Sequence, residues 1–193
     1  MTIRQKVGAT TPAAEIRKYH VHIYFIAPCS TGTGALIGAE RACQAGDDTI
    51  PTLKRLELGV GGGVLGMQLV TLVEGIESFQ VDYGIDDSPA VVNADTNQIG
   101  DGVANCYKTN PGGAGTGSLG CTALAAVSSW ANVVAVKVNL IARNTEATKG
   151  FADAKKYNKG LEGDTLVLGG EFKRHAYSSL ARLVNVSGRR EYQ

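Results

Sequence analysis

The clearest alternation in the chain runs through Phe79, Val81, Tyr83 and Ile85, with Ser78, Gln80, Asp82 and Gly84 between them. A period of two predicts a strand with one buried, apolar face. Val134, Val136, Val138 and Leu140 alternate in the same way with Val133, Ala135, Lys137 and Asn139, and their β-branched content suits a strand over Val133 to Ala142. Earlier, Tyr19, Val21, Ile23 and Phe25 share one face of a strand expected over Arg17 to Ala27, which Pro28 ends. Pro51 then opens Thr52 to Leu58, expected to pair with that strand antiparallel.

The remaining segments carry less pattern. Gly59 to Gly66 holds five glycines in eight residues and reads as a turn, followed by a strand over Gln68 to Val73 and one helical turn over Glu74 to Glu77. Asp86 to Ala123 is rich in loop formers and long enough to require a function or a staple. Ala123 to Trp130 has a helical composition, and short strands are expected over Thr165 to Leu168 and Ser179 to Val186. Residues 1–16 lack periodicity and read as a flexible lead-in to one domain over 17–193, without an internal repeat.

Composition narrows the class. A chain of 193 residues is long enough to bury a sizeable core. Lys plus Arg is 19 and Asp plus Glu is 18, with no basic block, which argues against nucleic acid or an anionic membrane surface as the main partner. Aromatic residues make up only 6% while Gly numbers 25, which favours strands joined by small-residue loops over a helical bundle. Four cysteines permit three pairings. The local one, Cys29 with Cys43 and Cys106 with Cys121, is favoured, because each bridge closes a loop of about 15 residues and contributes about 3 kcal/mol in the chain-entropy model. Disulfides imply an oxidising compartment, most simply the periplasm and the cell surface.

Candidate chemistry is thin. Gly61 to Gly66 matches GxGxxG after Leu56 to Leu58, with Asp82 where a dinucleotide fold keeps its ribose-binding acid. Lys54, Arg55 and Glu57 in the would-be first strand contradict it, since a parallel strand covered on both faces is nearly all apolar. His20 and His22 lie on one strand face, with His175 as a third metal ligand if the fold brings it close, but aromatic-like strand residues on a half-exposed face are the commoner explanation of such a pair. Asp95, Asn97 and Asp101 alternate as in a calcium loop, with Asp86 and Asp87 near in sequence, but Gln98-Ile99 interrupts the spacing and no closing glutamate follows. At most weak calcium binding is expected there, and no other cofactor. Ser118 sits in GTGSLG without the first glycine of a nucleophile elbow, so no catalytic residue is assigned and enzymatic activity is not expected. Trp130 is expected to anchor the core beside the strand it introduces, with an exposed partner contact as the other reading.

Taken in order, YHVHIYFIAPCS (Tyr19 to Ser30), IPTLKRLEL (Ile50 to Leu58), LVEGIESFQVDYGID (Leu72 to Asp86) with the Asp101-Gly102 loop, WANVVAVKVNLIARN (Trp130 to Asn144) and FKRHAYSSLARLVNVSGRR (Phe172 to Arg190) resemble the C-terminal part of the PilW family. These are minor pilins of bacterial type IV pili, related to J-type pseudopilins of type II secretion. The resemblance implies an α+β, predominantly antiparallel head domain with long disulfide-stapled loops and little helix. It implies a structural subunit that joins other minor pilins and the major pilin in a priming complex at the pilus tip, with a tip adhesin as a further partner, and that is anchored in the inner membrane before assembly. The family's leader and long apolar helix have no counterpart here: no run approaches the roughly 18 to 20 apolar residues that a span requires, so the chain reads as a head portion that does not insert by itself. The alternatives are a type II secretion pseudopilin and a secreted ligand-binding or adhesin domain.

Overall fold

The computed structural model describes residues 20–61, 63–88, 100–113, 118–119, 121, 126–161 and 165–184. In chain order the strands are β1 (His22–Ala27), β2 (Leu36–Ile37), β3 (Glu40–Arg41), β4 (Thr52–Gly61), β5 (Val64–Glu74), β6 (Ile76–Ile85), β7 (Cys106–Lys108), β8 (Ser118–Leu119), β9 (Val133–Arg143), β10 (Lys156–Asn158), β11 (Thr165–Val167) and β12 (Arg174–Arg182). One short helix, α1 (Ala126–Ala131), lies between β8 and β9. Every described pairing is antiparallel. The α+β, strand-dominated head predicted from the sequence is therefore what the chain forms.

Two sheets carry the molecule, one ordered β1-β4-β5 and the other β12-β9-β6-β7-β8. In the first, β4 pairs with β1 as expected, His22 facing Glu57 and Ala27 facing Thr52. The glycine-rich stretch is only in part a turn. Gly61 still pairs with Val64, so the strands run almost to the tip of a long hairpin. No helix follows Gly66, and the helix N-terminus that a dinucleotide pyrophosphate needs is replaced by β5.

The expected helical turn over Glu74 to Glu77 does not form. Between β5 and β6 there is only Gly75, at φ +77°, where the chain passes from one sheet to the other. A Cβ here would sit 2.5 Å from the Arg143 carbonyl oxygen, and the Gly75 carbonyl accepts a 2.7 Å hydrogen bond from Arg143 N–H. Only glycine satisfies both the left-handed backbone and the close approach.

The long segment after β6 is stapled, as its length demanded. It supplies β7 and β8, and the bond between Cys106 and Cys121 ties this edge of the sheet together. Cys29 and Cys43 close the first loop, which contains the β2–β3 hairpin. Four short strands, β2, β3, β7 and β8, thus arise where the sequence shows only loop. The last strand begins at Arg174 and not near Ser179, because its pairing with β9 is continuous from Arg174–Arg143 to Arg182–Ala135.

Apolar burial is modest. The described residues bury a small cluster of Ile85, Cys106 and Val133, extended by the half-buried Tyr83, Cys121 and Leu183. Ile141 and Val134 are also enclosed. Beside them lie Lys54, Asp82, Asp86, Asp153 and Arg174, all buried. A sizeable apolar core was expected from length, yet much of the interior is polar and hydrogen-bonded. Such groups are tolerated only because each finds partners.

Candidate assembly surface

Three polar knots fix the loops that frame the surface. In the first, Asp48 accepts hydrogen bonds from the N–H groups of Ser30 (2.8 Å), Thr31 (3.0 Å) and Ile50 (2.9 Å). Asp47 accepts from the Thr33 hydroxyl (2.6 Å) and from the Gln44 N–H (2.7 Å). These bonds, the Ser30 and Thr31 amides foremost for Asp48 and the Thr33 hydroxyl for Asp47, hold both carboxyls below the usual range. Lys54, 1% exposed, reaches from β4 into the same loop, donating to the Ser30 carbonyl at 2.8 Å. Glu40 on β3 accepts from the N–H and hydroxyl of Thr71 on β5, which docks the disulfide loop on the three-stranded sheet.

The second knot is at the start of β12. Arg174 binds both oxygens of Glu77, at 2.5 and 3.1 Å, and Asp153 at 2.9 Å. Tyr157 donates to the same Asp153 oxygen at 2.9 Å. Burial alone would raise the Asp153 carboxyl, but bonds from Arg174, the Lys155 N–H and Tyr157 outweigh it and hold it below its ordinary value. Burial and the neighbouring Asp153 carboxylate push the Tyr157 phenol up. The Glu77 hydrogen bonds raise the Arg174 guanidinium in turn.

The third knot concerns the calcium candidates. Asp95 and Asn97 lie outside the described residues. Asp101 is exposed and accepts the Val103 N–H at 2.9 Å, a local turn. It is Asp86, fully buried, that organises this loop: it accepts the Gly102 N–H at 2.8 Å and the Ser88 N–H at 3.2 Å. Gly100, at φ +97°, passes so close that a Cβ would lie 2.1 Å from an Asp86 oxygen.

The histidines are not brought together as a set. His20 and His22 do share a face, their rings 6.0 Å apart, but His22 faces Glu57 at 3.1 Å while His175 lies on β12 of the other sheet beside Tyr177. No group of three His, Cys, Asp or Glu side chains is placed to hold a metal ion among the described residues. Trp130 is not a core anchor. It is 48% exposed at the end of α1, its ring edge-on to Tyr83 at 5.1 Å. Ser118 lies in β8.

What the architecture leaves open is apolar. Ahead of β1, the end of the β4–β5 hairpin continues as a two-stranded ribbon with Leu58, Val60, Leu65 and Met67 on one face. Val60 is 70% and Leu65 67% exposed. The same face extends across β1 through Val21, Ile23 and Phe25, all exposed. Glycines 59, 61 and 66 occupy the opposite face, so the ribbon presents side chains mainly one way. In the larger sheet the expected apolar face of β6 is enclosed only at Ile85. Phe79, Val81 and Tyr83 stay half-buried, whereas Asp82 and Gly84 on the other face are buried. Asn139 donates to Asp82 at 2.9 Å, Ser178 donates to Asn139 at 2.9 Å, and the Leu161 N–H reaches Asp82 at 3.3 Å, so the segment after β10 covers the polar face instead. Exposed apolar patches of this kind mark interaction sites.

A family model described as Type IV Pilus-assembly protein W matches residues 23–185, most of the chain and all of both sheets except His22. The protein belongs to the PilW family. PilW proteins take part in type IV pilus assembly, which agrees with a surface of open sheet faces and disulfide-fixed loops. No curated protein and no solved structure matches the chain. Among the described residues no helix is long and apolar enough to cross a membrane.

Proposed function

We propose that residues 17–193 form the head of a minor pilin, with residues 1–16 as a lead-in, and that it works by assembly and not by chemistry. In this reading the head joins other minor pilins and the major pilin in a priming complex at the pilus tip and supports a tip adhesin. The family match over residues 23–185 carries the reading. The open apolar ribbon supports it, as a surface that gains by being covered, and the two disulfides suit a periplasmic and then extracellular life.

The test is genetic and biochemical. Deleting the gene is expected to reduce surface pili and twitching motility, and the restored gene is expected to return both, with crosslinks from the ribbon to other minor pilins. Normal pilus number in the deletion strain, or turnover of a substrate by the purified protein, overturns the reading. A defect in type II secretion with intact pili assigns the chain to the pseudopilins instead.

A further inference from the structure

We propose that the outer edge of β12 accepts an extended strand from a different pilus subunit, one carrying an acidic side chain for Lys137; that the donor is a pilus subunit rests on the assembly reading above. β12 is the last strand of its sheet, nine residues long, and its register with β9 is unbroken by any bulge. Its sequence, RHAYSSLAR, contains no proline, and every residue after Arg174 is exposed. Sheets usually blunt such an edge with charged side chains, proline, a bulge or a short strand, and the arginines of β12 stand only at its ends, Arg174 and Arg182. The opposite edge of this sheet is blunted, since β8 is only two residues long. β12 is not.

A groove of about 620 Å³ crosses one face of this sheet and reaches β12 at its edge. Ala176, Ser178 and Leu180, alternate residues of β12, line one side, and Tyr107, Lys137 and Leu161 are among the residues that line the other. Strand addition uses this pairing of features: backbone hydrogen bonds supply affinity, and pockets for alternate side chains supply specificity. Asn139 and Leu161 occupy the buried Asp82 carboxylate in the floor. Lys137 is half-buried, and its ammonium takes part in no ion pair or hydrogen bond among the described residues. It faces Asp82 on β6 and Leu180 on β12 in register, the Asp82 carboxylate being engaged by Asn139 and Leu161, and an added strand lies two strand spacings away on the β12 side, about 10 Å. A long acidic side chain and Lys137 together span that distance.

The same observations argue against β12 of a second copy as donor. β12 has no acidic residue to offer Lys137, and antiparallel self-pairing would bring Arg182 toward the Arg174 end.

The experiment uses the full chain with short synthetic peptides that alternate Val and Thr around one central Glu, Gln or Lys. The Glu peptide is expected to slow hydrogen exchange at alternate β12 amides, to bind about tenfold more tightly than the Lys peptide, and to lose binding when alternate backbone nitrogens are methylated. Lys137→Glu is expected to reverse the preference while leaving the far-UV spectrum unchanged. Absence of β12 protection at millimolar peptide, equal binding of the Glu and Lys peptides, or protection confined to the outer edge of β1 overturns the proposal. Concentration-dependent dimerisation that itself protects β12 shows that the donor is a second copy and overturns the choice of a different subunit. Lys137→Glu in the otherwise intact gene is expected to reduce pili. Normal piliation in that strain, alongside lost pili in the deletion strain, sinks the edge proposal while the assembly reading stands.

Discussion

Single residues carry unusual weight in this chain because apolar burial is small. Arg174 is the clearest case, since one guanidinium joins β12, β6 and the segment around Asp153. Replacing it with Met leaves Asp153 without its cation and Glu77 with only the longer Arg143 pair at 3.6 Å, so Arg174→Met is expected to cost about 3 to 5 kcal/mol, read as a shift of the urea midpoint. Gly75→Ala combines a left-handed backbone with a clash against a backbone oxygen, and about 1 to 3 kcal/mol is expected from the same measurement. Neither position stands out from its residue type. The isolated glycine was visible in the sequence, but a glycine inside a short polar stretch is compatible with a helical turn, and only the Arg143 carbonyl decides against it.

At the scale of elements, long strands were legible and short ones were not. β6 and β9 carry ten and eleven residues of alternation or β-branched density, enough to declare a period of two. β2, β3, β7 and β8 have two or three residues each and exist because a disulfide or a neighbouring strand holds them. Which face of β6 is buried was also hidden, because a buried Asp82 depends on Asn139 and Leu161, 57 and 79 residues away. The cysteine pairing was legible from local spacing. Asp47, Asp48 and Asp86 were not recognised as loop organisers, although an aspartate with small hydroxyl and glycine neighbours is a recurrent signal for side-chain-to-backbone bonding. For the hairpin, Val60→Lys with Leu65→Lys is expected to leave the urea midpoint within about 0.5 kcal/mol, since surface substitutions seldom do more. The same pair is expected to abolish crosslinking to other pilus components, which native gels and crosslinked pilus preparations measure.

For the molecule as a whole, the depressed carboxyls of Asp47, Asp48 and Asp153 set a pH dependence. Each is bound more strongly when ionised, so the stability they contribute is complete above the unfolded carboxylate value of about 4 and is withdrawn as pH falls through the lower folded values. Thermal unfolding is therefore expected to be flat from neutral pH down to about 5 and to fall steeply below about 4, with the Cys29–Cys43 loop and the β12 anchor loosening together. A midpoint that declines evenly from pH 7 would contradict this. The family was legible from five short segments in order, because pattern and spacing survive where no single motif is strong. The assembly surface was not, since exposure is decided by what fails to cover a sheet, and no residue announces that by itself.

Asp47 and Asp48 stand outside the ring that Cys29 and Cys43 close, yet they grip its residues at Ser30, Thr31 and Thr33 and the neighbouring Gln44. The loop's shape is therefore dictated by carboxylates, and the sulfur bridge acts as a latch on a form already drawn together. An envelope oxidase would meet two thiols held side by side, with few wrong partners to explore. A protein with both residues of this pair changed to serine is expected to keep the amide resonances of the loop at neutral pH and to lose them in acid, whereas the oxidised protein holds its ends together in both. The two restraints fail under different insults, one to protons and the other to reductant, so the loop keeps one of them under either alone.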